Sequence, residues 1–172
     1  EYRFLVVAAG LQLDWGRIEG LEQTLGTNGV TSNYRYDLAP YTWACVRDLR
    51  GGSALFTQPA MPIKCAGAPQ KILYLAADHW RRQHIAVDMD FFTPGPTMFG
   101  IPFYARALDK VVSHYGIQPR FGHNLVAVDG PRRRATFEVA AGDARQRVER
   151  EFDLLHVVPP QSAPDFSKAS TI

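Results

Sequence analysis

The sequence predicts an α/β fold with a doubly wound parallel sheet, followed by an antiparallel β-meander. Three observations predict it. Short apolar runs alternate with helix-spaced patterns between residues 53 and 115. Short strands separated by turn residues then follow one another over residues 117–152. A last apolar run, Leu154-Leu155-His156-Val157-Val158, suits a buried parallel strand, and Pro159-Pro160 forbids its continuation.

Taken in order, residues 1–10 alternate briefly and then run apolar, as a buried parallel strand does. Residues 11–30 are glycine-rich and read as a loop with at most a short helix around 17–24. A helix is expected from 38 or 39 to about 49: Pro40 suits its first turn, Trp43, Val46 and Leu49 share a face, and Gly51-Gly52 stop it. Residues 53–57 form a short apolar strand and 58–66 a proline-punctuated loop. A helix then runs from 68 or 69 to 84, with Ile72, Leu73, Leu75, Ala76 and Trp80 inward. The next strand, 87–92, is broken by Pro94-Gly95-Pro96. A helix over 102–115 carries Tyr104, Leu108, Val111 and Val112 on one side and ends at Gly116. Strands at 117–122, 124–129, 133–139 and 147–152 make the expected meander, with Gly-Pro and Gly-Asp turns.

A chain of 172 residues with 46% apolar and 12% aromatic content can bury one sizeable core, so a single domain is expected over residues 1–172, its core at about 11–158. Charged residues are 21% of the total with a net charge of +2, which gives no strong pull toward nucleic acid. Arg132-Arg133-Arg134 follows the turn signal Asp129-Gly130-Pro131 and reads as a solvated hairpin end. The two cysteines, Cys45 and Cys65, form no disulfide framework and have no zinc-ligand spacing with a histidine, so no metal is expected. The five histidines show no acid–base pairing. The opening in an apolar strand without an initiating methionine suggests a piece of a longer protein.

Cys65 stands between an apolar strand and the start of an amphipathic helix. N–H groups in a helix's first turn lack intrahelical partners and carry partial positive charge, so a thiolate beside them is stabilised, and Lys64 adds a cation next door. The same position also suits a small apolar residue in a turn. Cys45 has neither cation cluster nor helix N-terminus and reads as packing. The strand-to-helix turn that would carry a dinucleotide's Gly-x-Gly-x-x-Gly holds Met61-Pro62-Ile63-Lys64-Cys65 instead, so no nicotinamide cofactor is expected in this sheet.

Four stretches resemble the sulfide:quinone oxidoreductases, mitochondrial-type and bacterial: Val7-Ala8-Ala9-Gly10-Leu11-Gln12-Leu13-Asp14, Ser32-Asn33-Tyr34, Met61-Pro62-Ile63-Lys64-Cys65-Ala66-Gly67-Ala68-Pro69-Gln70-Lys71 and Leu155-His156-Val157-Val158-Pro159-Pro160. The resemblance implies a Rossmann-like domain, the second dinucleotide-binding domain of glutathione-reductase-type flavoproteins, as the central fragment of an FAD enzyme. Such an enzyme oxidises sulfide to sulfane sulfur at two redox cysteines and passes electrons through FAD to a quinone. Cys65 matches one of the pair, and the second lies beyond this chain. Gly10 matches a strand-end glycine near the FAD, though a strand-end turn explains it equally. Residues 1–10 and 159–172 would be crossings into an absent FAD domain, so FAD is not expected on the fragment alone, nor is turnover. The family also implies peripheral association with a mitochondrial or bacterial inner membrane through an absent C-terminal region, and apolar surface left uncovered would favour dimers. The alternative is a non-catalytic Rossmann-like module that binds a nucleotide or a protein partner, with Cys65 structural; a thiol sensor acting alone is a third reading.

Overall fold

The computed structural model describes residues 2–141 and 144–170. In chain order its elements are β1 (Gln12–Leu13), α1 (Leu21–Thr24), β2 (Val30–Thr31), α2 (Ala39–Asp48), β3 (Ser53–Thr57), α3 (Ala68–Arg82), β4 (Asp88–Thr93), α4 (Pro102–Tyr115), β5 (Gln118–Phe121), β6 (His123–Asp129), β7 (Arg134–Ala141), β8 (Ala144–Glu151), β9 (Leu154–His156), β10 (Gln161–Ser162) and α5 (Asp165–Lys168). A five-stranded sheet runs β2-β9-β3-β4-β5, and every pairing in it is parallel. Strands β6, β7 and β8 form an antiparallel sheet, and β1 pairs antiparallel with β10.

Successive residues of a strand point to opposite faces, and the central strands use both faces apolarly. Phe56, Phe91 and Leu154 join Val46, Leu73, Ala76, Trp80 and Val112 in a core beneath α2, α3 and α4. Their neighbours Leu55, Phe92 and Leu155 join Leu125, Val128, Phe137 and Phe152 in a second core under the meander. Helices thus cover one face of the parallel sheet and the meander covers the other. One contact joins α3 to α2 within the helix layer, and another joins the sheet to the meander. The Trp80 indole N–H donates to the Val46 carbonyl at 2.9 Å, and Phe92 stacks on Phe137 with ring centroids 4.0 Å apart.

The structure corrects several expectations. Residues 2–10 pair with no strand among the described residues and stand exposed, Phe4 at 90% and Val6 at 87%; an apolar run becomes a strand only where a sheet edge receives its backbone. Residues 118–121 leave the meander and pair in parallel with β4, because α4 returns the chain to the sheet edge. Leu75 on α3, Tyr104 on α4 and Trp43 on α2 are half or more exposed, and the buried faces instead carry Ala77, Ala105 and Thr42. The expected Gly142-Asp143 turn, and Glu1, Thr171 and Ile172 of the expected crossings, lie outside the described residues.

The hairpin end behaves as a solvated one. Arg132 pairs with Asp129, Arg133 with Asp153, and Arg134 with Glu149 and Glu151. On the same sheet Arg145 and Arg147 flank Glu138, so the exposed strand β8 carries charges of both signs along its length.

Candidate functional site

All strands of the central sheet point the same way, so the segments that leave β2, β9, β3 and β4 emerge on one edge. That edge gathers residues 32–34, 157–161, 58–67 and 94–100.

Cys65 lies in the third of these segments. It is exposed, and Cys45 and Cys65 are both free thiols. Its backbone φ of +93° is in the region L-residues rarely adopt. Hydrogen bonds hold it there: the Cys65 N–H donates to the Ile63 carbonyl at 3.2 Å, and the Cys65 carbonyl accepts from Ala68 N–H at 2.8 Å. One first-turn N–H of α3 is therefore engaged by the cysteine's own carbonyl. Gly67, which caps α3, supplies no side-chain cap.

Buried side chains pin the loop from both sides. The Gln161 amide oxygen accepts from Lys64 N–H at 2.7 Å. Gln70, fully buried, donates from Nε2 to the Met98 carbonyl at 2.5 Å and to the Ala66 carbonyl at 3.4 Å, while its Oε1 accepts from the Tyr74 hydroxyl at 2.8 Å. Between the 58–66 and 93–100 segments a cavity of about 500 Å³ opens, lined by Gln58, Met61, Ala66, Pro94, Met98 and Phe99 among others.

Residues 32–34 approach from the other side. His156, wholly buried and stacked on Phe56 at 5.9 Å, accepts at Nε2 from the Asn33 N–H at 3.1 Å, with the Asn33 amide oxygen 3.0 Å from the same nitrogen. With Nε2 accepting, the neutral ring carries its proton on Nδ1, which is buried and has no partner among the described residues. Burial pushes the His156 pKa down to about 3, opposed by a weaker backbone hydrogen bond. The Tyr34 N–H donates to Ser32 Oγ at 3.2 Å, and the Tyr34 hydroxyl is itself buried. Its pKa is pushed up to about 12, by burial first and by charge on Cys65 second.

The other residues singled out in the sequence fall elsewhere. Cys45 is half-buried on α2 against the helix-side core, and burial pushes its thiol up, consistent with packing. Gly10 has φ +76°, and an added Cβ would meet nothing within 4 Å, so only the backbone angle requires glycine there. His79 stacks edge-on with Trp43 and His123 with Phe92, away from Cys65's anchoring contacts. No group of metal-ligating side chains occurs among the described residues, and no helix among them is long and apolar enough to cross a membrane. Reasoning from the sequence assigned no role to Tyr34, His156, Gln70 or Gln161. The one signal was polar residues in otherwise apolar or proline-flanked segments, as in Leu155-His156-Val157.

FAD would need a phosphate cradle, and the residues at this edge do not make one. The β3-to-α3 segment holds buried Ile63 and two prolines, Pro59 and Pro62, where glycines would have to let a backbone approach. Residues of this chain could face a flavin held elsewhere, but they do not enclose one.

No protein-family model matches the chain. It is 41% identical over its whole length to the mitochondrial sulfide:quinone oxidoreductase of Dictyostelium discoideum and 36% identical, over 99% of its length, to that of Mus musculus. Among solved structures it resembles the sulfide:quinone oxidoreductase of Aquifex aeolicus, with a TM-score of 0.75 and 20% identity over 96% of this chain and 38% of that one. That likeness shows the fold, a parallel-sheet α/β domain of the kind found in FAD-dependent oxidoreductases. From end to end, then, this chain is similar in sequence to the mitochondrial sulfide:quinone oxidoreductases and spans 38% of the length of the curated relatives it matches.

Proposed function

We propose that the chain is part of an FAD-dependent sulfide:quinone oxidoreductase and that Cys65 is one of its two redox cysteines. One observation carries this reading: an exposed thiol, held at φ +93° on the C-terminal edge of a parallel sheet, in a chain 41% identical to such an enzyme. Ligands of open α/β sheets bind at this edge.

The chemistry asked of Cys65 is thiol–disulfide exchange. Hydrosulfide attacks one sulfur of the cysteine disulfide or its sulfur-bridged form. A new S–S bond forms, the old one breaks, and one cysteine keeps the added sulfur while the other leaves as a thiolate with the electron pair. Bound FAD would carry that electron pair on to the quinone. Among this chain's residues, Gln161 and Gln70 fix the loop on both sides of Cys65, and exposure keeps the thiol open to a small anion. The second cysteine and the phosphate cradle for FAD belong to chain outside these residues.

The two ends support the same picture. β1 pairs with β10, Asp14 N–H donates to the Pro160 carbonyl at 2.9 Å, and Gln12 bonds the Asp165 side chain. Residues 12–14 and 160–165 thereby run side by side, which supports reading 1–10 and 159–172 as two crossings into an FAD domain, with Gly10 on the flavin side. Residues 1–172 then form one Rossmann-like domain. Work on a quinone implies peripheral contact with a mitochondrial or bacterial inner membrane, made by chain outside these residues.

Cys65→Ser in the full-length protein tests the assignment through sulfide-dependent quinone reduction. The expected loss is on the order of a thousandfold, the scale on which removal of a covalent nucleophile acts. A rate near that of the unsubstituted protein would eliminate the role.

A further inference from the structure

Among the buried polar atoms without a partner that the proposed role of Cys65 leaves without a task is the hydroxyl of Tyr34. It is buried and has no hydrogen-bond partner among the described residues. A buried polar group without a partner costs stability that a phenylalanine of the same shape would not. The hydroxyl is therefore available to a partner outside the described residues.

Topology brings the two residues together. Tyr34 follows β2 and Cys65 follows β3, with only β9 between those strands, and both segments emerge on the same edge. The turn bearing Tyr34 is fixed by its own N–H bond to Ser32 and by the bond from Asn33 to buried His156. The loop bearing Cys65 is fixed by Gln161, which follows β9 on that edge. Charge on Cys65 is felt at the Tyr34 hydroxyl, and the raised phenol stays protonated, hence a donor, at neutral pH.

We propose that Tyr34 is a further catalytic residue whose O–H donates a hydrogen bond to the outer sulfur of a persulfide on Cys65. This rests on the reading of Cys65 as the sulfur-carrying thiol. The added sulfur stands about 2 Å beyond Sγ, on the same sheet edge as a hydroxyl that the bare thiol leaves without a partner. A hydrogen bond to an anionic acceptor is of the stronger kind, and by drawing charge off the outer sulfur it would speed that sulfur's transfer to a nucleophile.

The test uses the 172-residue chain with Cys45→Ser, so that Cys65 is its one thiol. Inorganic tetrasulfide loads it: the Cys65 thiolate attacks a terminal sulfur, an S–S bond forms to the cysteine, and trisulfide leaves with the electron pair of the broken bond. After desalting, the rate at which cyanide removes the outer sulfur as thiocyanate is compared with and without Tyr34→Phe. The expected result is loss roughly three- to tenfold slower in the phenylalanine variant, the rate equivalent of one hydrogen bond, with a thermal midpoint equal or higher. Equal rates at full loading would overturn the role of Tyr34 and leave that of Cys65 intact. A lower midpoint for Tyr34→Phe would give the hydroxyl a structural role and also overturn the proposal. Failure of Cys65 to accept sulfur at all would sink both readings.

Discussion

Cys65 holds a backbone angle that a residue with a β-carbon adopts at a cost, and residues so placed cluster where geometry serves chemistry. Glycine would bear no such penalty. We therefore expect Cys65→Gly to be more stable than Cys65→Ala by about 1 kcal/mol in urea unfolding, although both lack the thiol. Equal stabilities would show the loop relaxing around the substitution. The thiol's place between strand and helix was legible in the sequence because glycine, proline and apolar periodicity mark both borders. Its left-handed backbone was not, since the loop around it is pinned by Gln161 and Gln70, which reach Lys64 and Ala66 from 97 and four positions away. Tyr34 escaped for the same reason: burial of a hydroxyl is a tertiary fact.

Among elements, the helices read most clearly, α4 to the residue, because Pro102 and Gly116 bracket a 3.6-residue pattern. Strands whose partners are distant in sequence read poorly. Residues 2–10 have the composition of a strand and pair with none among the described residues, and β5 sits beside β4 although its neighbours in sequence suggested the meander. Pairing depends on which edge a chain reaches, and period-two patterning does not contain that information. The meander is joined to the sheet through Phe137, fully buried and stacked on Phe92. Phe137→Ala should cost about 3–5 kcal/mol in chemical denaturation. It should also raise amide exchange in β6–β8 before β3 and β4; uniform acceleration would mean that the two layers open as one.

For the molecule as a whole, acid is the condition to which the site side should respond. His156 is neutral when folded, with its pKa lowered by burial from 6.5 to about 3, so the unfolded chain takes up a proton that the folded one refuses. Its contribution is complete above pH 6.5 and is lost progressively as pH falls toward about 3. The slope this one group can impose is at most about 1.4 kcal/mol per pH unit. Stability measured by urea unfolding across that window should fall more steeply in the unsubstituted chain than in His156→Gln; parallel curves would remove His156 from the account.

Strand β8 has one flank without a strand partner among the described residues, and such a row of backbone donors and acceptors is an invitation to a second chain. Its sequence, Ala144-Arg145-Gln146-Arg147-Val148-Glu149-Arg150-Glu151, sets Arg145 and Arg147 against Glu138 of β7, and Glu149 and Glu151 against Arg134 of β7. A parallel copy docking in register would stack like charges on like. This border is thereby guarded against fibril growth, so clumping of the purified protein should begin at the bare apolar residues 2–7 and spare the hairpin rim.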